Sequence, residues 1–300
     1  MNEAQEDGNS MSNDILTVIA DKVPSLSKGQ KMIANYILNH YDKAAFMTAS
    51  RLGTIVGVSE STVVRFAFEL KYDGYPGLQK ALQEMIRNRL TAVQRIDVAS
   101  EQIGTEEVLD KVLNLDIDRI RRTLEESDRD AFNGAVNSIV CARNIYILGS
   151  RSASTLASFI AFYFNLMFSN VKLVQTASTG EMFEQILRVN ERDVMIAISF
   201  PRYSKRTTKA LSFAHDNGAT VVAITDSVSS PLVQYADYFL QARSDMASFV
   251  DSLVAPLSLI NALVVAVGLK KTDELKSTFD KLEKIWDAYE VYEKAEEPKE

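Results

Sequence analysis

The sequence predicts an α/β fold in which a small all-α module precedes a parallel sheet, and three observations carry that expectation. Residues 14–90 place their apolar side chains at helical spacing, with a glycine, Gly57, between two short helical segments. From Asn144 to Ala242, short apolar runs alternate with segments of helical length, the pattern of a parallel sheet covered on both faces. Charge is also segregated: residues 25–95 carry ten basic and five acidic side chains, while the chain before and after them is net acidic and the whole carries −7. A basic segment inside an acidic protein is the asymmetry that a phosphate-binding module needs.

Three hundred residues, 46% of them hydrophobic, suffice for two domains with separate cores. A lone cysteine, Cys141, excludes an intramolecular disulfide and fits a reducing compartment such as the cytoplasm. The polar, acidic start, MNEAQEDGNSMSND, has no signal-peptide pattern and reads as disordered over 1–13. A short helix is expected from Asp14 to Asp21, and Pro24 to Ser27 breaks it. Ser27 then caps a longer helix, Lys28 to His40, with Met32, Ile33, Tyr36 and Ile37 as its buried stripe.

The segment SRLGTIVGVSESTVVRFAFEL, Ser50 to Leu70, reads as a helix-turn-helix. Leu52, Ile55 and Val56 give the first helix an apolar side, and Gly57 provides the positive φ that a tight turn requires. Ser59 is placed to cap the second helix through its hydroxyl, and Val63, Phe66, Ala67 and Leu70 turn inward. Glu60, Ser61, Thr62, Arg65 and Phe68 are left facing out, short polar groups and one arginine of the kind that reads a DNA groove. Ser59, Ser61, Thr62 and Arg65 are the readout candidates. Behind them comes a turn, Lys71 to Gly77, and a helix from Leu78 to about Leu90; Lys71, Tyr75 and Lys80 are candidate phosphate clamps. The plain alternative is a helical hairpin with a solvated face.

The strings Leu26-Ser27, Ile33-Ala34-x-Tyr36-Ile37-Leu38, Gly57-Val58-Ser59-x-Ser61-Thr62-Val63-Val64-Arg65-Phe66 and Gly74-Tyr75 resemble the N-terminal domain of RpiR-type bacterial transcriptional regulators over residues 14–90. The resemblance implies operator DNA as a partner. Ala67, Phe68 and Glu69 stand where that family usually has a small polar residue and a basic side chain, so the expected readout is confined to Ser61, Thr62 and Arg65.

Periodicity fades from Thr91 to Thr105, and a helix resumes near Glu106 with Leu109, Leu113, Ile117, Ile120 and Leu124 recurring every three or four residues. That stripe suits a dimer seam or the outer layer of the next domain, and the outer layer is the expectation. A further helix is expected from a Ser127 cap. Strands are expected at 144–148, 171–175, 193–200, 220–225 and 238–242. Ligands in such sheets sit beyond the carboxyl ends of strands where chain order reverses. Two hydroxyl-rich loops end strands one and three, Gly149 to Ser154 and Ser199 to Thr207, and each opens a helix. Backbone N–H groups, the helix dipole and arginines there suit one anion, a phosphorylated small molecule. The plainer reading makes these serines helix caps.

This half resembles the sugar isomerase (SIS) domain over Ser127 to Leu269, the domain that senses phosphosugars in RpiR-type regulators. In that family the third-strand loop runs Ser-x-Ser-Gly-x-Thr; Ser199 and Ser204 hold its outer positions and Pro201 replaces the middle serine. The first loop usually runs Gly-x-Gly-x-Ser; Gly149 is kept, while Arg151 and Ala153 stand at the second glycine and the serine. Ser248 also matches the regulators. The candidate ligand residues are Ser150, Arg151, Ser152, Ser199, Arg202, Tyr203, Ser204, Thr207 and Ser248, with Arg151 offering a forked guanidinium to phosphate or carboxylate.

The implied organisation is a helix-turn-helix DNA-binding domain at 1–90, a helical linker at 91–126, a SIS ligand-sensing domain at 127–271, and a C-terminal helix with a solvated tail at 272–300. The uncharged run Ser252 to Leu269 is expected as a buried helix at a dimer interface rather than a membrane span, and Leu275, Phe279, Leu282, Ile285, Trp286 and Tyr289 stripe the helix after it. A homodimer or homotetramer is implied, with a phosphorylated sugar or sugar-acid effector, no membrane, no cofactor and no metal. The alternative is a phosphosugar isomerase with an accessory helical domain, but His40 lies in the DNA-binding half, His215 lies late in the helix after strand three, and Glu181 reads as a helix N-terminus charge.

Overall fold

In the computed structural model of this chain, which describes residues 15–87, 91, 93–96, 103–104, 106–244 and 250–293, helices α1 (Ile15–Lys22), α2 (Lys28–Asn39), α3 (Tyr41–Ala44), α4 (Ala49–Val56), α5 (Glu60–Glu69) and α6 (Gly74–Arg87) enclose one core. Ile33, Ile37, Leu52, Val63, Phe66, Leu78 and Leu82 are fully buried in it. The α2 start is a reciprocal cap: the Ser27 side chain accepts from the Gln30 backbone, and the Ser27 N–H donates to Gln30 Oε1 at 3.1 Å. Two expected core residues lie outside. Met32 is 42% and Ile55 46% exposed, each one position round the helix from the residue that is turned inward, Ile33 and Val56. The predicted turn at Gly74 to Gly77 is instead the first turn of α6. Pro76 is tolerated there because the early N–H groups of a helix have no intrahelical partner to lose.

The described residues fall into two compact units, the first running to Leu109 and the second from Asp110 onward, Val250 excepted. In the second unit α7 (Val108–Glu126) and α8 (Arg129–Cys141) precede five strands: β1 (Ile145–Gly149), β2 (Val171–Val174), β3 (Val194–Ile198), β4 (Thr220–Thr225) and β5 (Tyr238–Gln241). The helices between and after them are α9 (Ala153–Phe164), α10 (Thr179–Ile186), α11 (Lys205–Asp216), α12 (Val254–Lys270) and α13 (Thr272–Ala288). All strand pairs are parallel, in the order β2-β1-β3-β4-β5, with Ile145 opposite Val194 and Val194 opposite Thr220. Alternate residues serve opposite faces. Ile145 and Ile147 join Ile139, Ile160 and Leu263 on one side, while Tyr146 and Leu148 join Met182, Ile186 and Leu211 on the other. Chain order reverses between β1 and β3, so the segments leaving those two strands are neighbours.

Two expectations change here, the cap of α8 and the packing of α7. The cap of α8 is Asp128, which accepts from the N–H groups of Asp130 and Ala131, whereas the Ser127 hydroxyl donates back to Thr123 O. As expected, α12 is a core helix, buried through Ile260, Leu263, Val264 and Val267, and its other side leaves Leu257, Val265 and Leu269 exposed. α7 is turned opposite to its sequence pattern. Arg119 and Thr123 are its buried residues, and Asp116, Thr123 and Glu126 bond to Ser252 and Arg243, while Leu113, Ile117, Ile120 and Leu124 are 38–62% exposed. Those bonds tie α7 to the sheet unit. Among the described residues no single helix is long and apolar enough to cross a membrane.

Candidate functional site

Two regions gather the sequence-marked residues. In the first, α4 ends at Gly57 with φ 79°, where a side chain would be strained. Gly53 is the less visible requirement of the same turn, since a Cβ on it would stand 2.8 Å from Val58 O. These two glycines set α5 so that Val63, Phe66 and Ala67 are buried and Ser59, Ser61 and Arg65 are exposed. Ser59 occupies the N-cap position with extended backbone, but its hydroxyl caps no backbone N–H. Its Oγ lies 2.9 Å from Ser61 Oγ and 2.8 Å from Thr62 Oγ1. Arg65 Nε donates to Ser61 O at 3.2 Å, which holds the guanidinium beside the same hydroxyls.

Ser59, Thr62 and Arg65 also line a recess of about 410 Å³ with Ser27, Gly29, Gln30 and Val58. Gly29 sits on the α2 wall of this recess, where a Cβ would make an ordinary contact with the Thr62 methyl at 3.4 Å. The α2 residues were not marked from the sequence because they belong to another helix, and only packing brings them to α5. Lys71 and Lys80 are exposed, as phosphate contacts would have to be. Tyr75 is not a clamp. It is 4% exposed, its hydroxyl donates to Met47 O at 2.9 Å and Ala44 O at 3.3 Å, and burial pushes its pKa up to about 12.

In the second region the β1 and β3 loops meet at the carboxyl edge of the sheet. A Cβ on Gly149 would lie 2.3 Å from Ala153 O, so only glycine lets α9 start this close to β1. Ser150 Oγ is 3.1 Å from Thr207 Oγ1 and accepts from Arg206 Nη2 at 3.3 Å. Ser199, 4% exposed, accepts the Ser204 N–H at 3.1 Å, and the Ser204 hydroxyl caps α11 by accepting the Thr207 N–H. Ser199 and Thr207 therefore shape the loop from inside. Tyr203 donates to Asp226 Oδ1 at 2.8 Å at the end of β4.

Arg151, Ser152 and Arg202 are exposed, and Arg151 adopts φ 59° with its carbonyl accepting from Ser154. Arg206 and Asp226 were not marked as site residues from the sequence. Arg206 lies inside the Ser199–Thr207 loop, but its approach to Ser150, 56 residues away, is set by packing and leaves no mark in the sequence. Ser248 lies outside the described residues.

Some arginines of the sheet unit meet carboxylates, Arg143 with Asp193 at 2.6 Å, Arg119 with Asp116 at 2.8 Å and Arg243 with Glu126, while others such as Arg122, Arg188 and Arg192 form no ion pair among the described residues. Asp193 is buried, which alone would raise its pKa, yet hydrogen bonds from Arg143, Asn144 and Asn190 hold it below the ordinary aspartate value. At the loop edge, among the described residues, no carboxylate lies within 4.0 Å of the charged groups of Arg151, Arg202, Lys205 or Arg206. Among the described residues there is also no group of three His, Cys, Asp or Glu side chains that could hold a metal ion.

A family model described as a helix-turn-helix domain of the rpiR family matches residues 13–89, and one described as a SIS domain matches 138–266. The chain belongs to the RpiR family of transcriptional regulators. HexR of Escherichia coli, an HTH-type transcriptional regulator, is 24% identical over 287 residues, which is 92% of this chain and 94% of that one. An uncharacterized HTH-type transcriptional regulator of Haemophilus influenzae is 27% identical over 238 residues, 76% of this chain and 80% of that one.

Among solved structures, the sugar isomerase domain of an RpiR transcription factor from Sphaerobacter thermophilus superposes with a TM-score of 0.57 at 22% identity, covering 60% of this chain and 99% of that one. NanR of Vibrio vulnificus, in complex with ManNAc-6P, gives 0.56 at 21% identity, covering 92% of this chain and 98% of that one. These likenesses give the regulator its fold, a helix-turn-helix module and a sugar isomerase domain on one chain.

Proposed function

We propose that this regulator binds operator DNA through α5 and that a phosphorylated sugar or sugar acid, seated between the β1 and β3 loops, biases that binding. The observation that carries the reading is the cluster of four cations without carboxylate partners, at the edge of the sheet where chain order reverses. An anion supplies what these cations lack. NanR of Vibrio vulnificus, whose structure is a complex with ManNAc-6P, supports the choice of ligand class. Ser61, Thr62 and Arg65 are the proposed groove contacts; Lys71, Lys80 and the recess by Gln30 face phosphates. Ser150, Arg151, Ser152, Arg202, Ser204 and Ser248 are the proposed effector surroundings, in a domain spanning 127–271 behind a DNA-binding domain at 1–90.

A homo-oligomer fits two half-sites about 34–36 Å apart. The exposed stripe Leu113, Ile117, Ile120 and Leu124 on α7 supports a second copy as the partner that covers it. The reading is of a cytoplasmic regulator rather than an enzyme. Glu181, the acid best placed for an isomerase, accepts the Thr176 hydroxyl beside the start of α10. His215 lies in the last turn of α11, at the opposite end of that helix from the loops. The test is an operator-fragment titration followed by fluorescence anisotropy, repeated with ribose, fructose and hexosamine phosphates and with 6-phosphogluconate. At least one is expected to change the operator Kd by about fivefold or more. No change with any of them, together with product formation in the same mixtures, overturns the reading in favour of the isomerase.

A further inference from the structure

Of the four loop cations, one is already aimed into the space between the loops. Arg151 and Arg202 are exposed, and no side-chain bond holds either guanidinium. Arg206 stands in the first turn of α11, half-buried, with Nη2 donating at 3.3 Å to Ser150 Oγ, 56 residues away in sequence. Ser150 is in turn fixed by Thr207, whose side chain is fully buried. Asp226, the buried carboxylate near this edge, accepts from Tyr203 and not from Arg206. Most of the Arg206 N–H donors therefore have no protein partner, in a position where water reaches them only in part.

We propose that Arg206 is the residue that selects a phosphorylated effector: Ser150 steadies its guanidinium, and the remaining edge of the fork takes two phosphate oxygens. This rests on the reading of the two loops as the effector site. The physical case is one of shape and solvation. A guanidinium is planar, permanently charged and weakly hydrated, so a half-buried one loses little on giving up its remaining water and gains two parallel charge-assisted bonds. A lysine at the same place would keep the charge and lose the fork. The exposed arginines would have to be ordered by the ligand, at a cost in side-chain entropy that Arg206 has already met through Ser150.

The experiment is a calorimetric titration of full-length wild type, Arg206→Gln, Arg206→Lys, Arg151→Gln and Lys209→Gln with ribose 5-phosphate, fructose 6-phosphate, glucosamine 6-phosphate and 6-phosphogluconate. Each ligand is paired with its unphosphorylated counterpart. For the tightest phosphorylated ligand, Arg206→Gln is expected to weaken binding by about 30-fold or more and Arg206→Lys by about tenfold. The exposed Lys209→Gln should bind as wild type, and the far weaker binding of the unphosphorylated sugars should not move.

Arg206→Gln binding the phosphorylated ligand as wild type does, or Arg151→Gln losing it while Arg206→Gln retains it, overturns the proposal and leaves the effector site standing. Should Arg206→Gln not fold, Arg206→Lys decides by the same criterion. Wild type binding none of the four ligands removes the effector site itself, and the role of Arg206 with it.

Discussion

The outer face of α5 and the joined loops of β1 and β3 are both hydroxyl clusters with an arginine, but they are built in opposite ways. On α5 the hydroxyls of Ser59, Ser61 and Thr62 and the Arg65 guanidinium bond to one another within four residues of sequence, and most of them remain exposed. At the sheet edge Ser150 bonds to Thr207 and Arg206 across more than fifty residues, and Ser199 and Thr207 are buried. A locally organised, exposed cluster is free to be read by a flat partner such as a DNA groove. A cluster held by distant segments exists only while the fold holds the segments together, which is what a ligand-responsive site needs.

The sharpest way to break this contrast is Gly149→Ala. Its Cβ would collide with the Ala153 backbone at 2.3 Å, and backbone cannot step aside as a side-chain tip can. The substitution should cost the sheet unit about 2–4 kcal/mol, as overpacking at a closed contact does. Urea unfolding should show the loss in the sheet unit, with operator binding by α5 retained at temperatures where both units are folded. If Gly149→Ala unfolds as wild type does, the β1 loop is not held as tightly as described.

A smaller effect is expected from Arg65→Ala. It should weaken specific operator binding by about 1–3 kcal/mol while leaving effector affinity unchanged, since Arg65 bonds only within its own helix. Electrophoretic mobility shift at fixed salt measures the first and calorimetry the second. Equal operator affinity would falsify the assignment of readout to α5.

The smallest effect sharpens the local side. Because the Ser59 hydroxyl caps no backbone N–H, Ser59→Ala should change the melting free energy by only a few tenths of a kcal/mol, roughly a third of the loss at a working cap. Thr48→Ala is the control, since Thr48 Oγ1 does accept the Arg51 N–H at 3.2 Å, and it should cost about 1 kcal/mol. Equal losses in the two variants would restore Ser59 to the capping role that its position suggests.

The same contrast explains how far the sequence could be read. The five strands emerged within a residue or two of their observed ends because buried parallel strands are short apolar runs bounded by polar turns. Gly57 was legible because a positive φ at a tight turn has a residue type attached to it. Tyr75 misled, since a tyrosine in a basic stretch looks the same whether its hydroxyl meets phosphate or the carbonyls of Ala44 and Met47. Ser127 misled in the same way, being one position from the aspartate that caps α8.

By itself, then, the sequence determined the order of helices and strands, the helix-turn-helix and the chemistry of its outer face. Each of these depends on neighbours within a turn or a strand, and periodicity records such neighbours. Only the tertiary structure decided that Arg206 rather than Arg151 reaches Ser150, that Gln30 joins the α5 recess, and that α7 turns its polar side inward. Those outcomes follow from contacts between segments far apart along the chain, whose geometry is set by packing of the whole unit and leaves no local pattern.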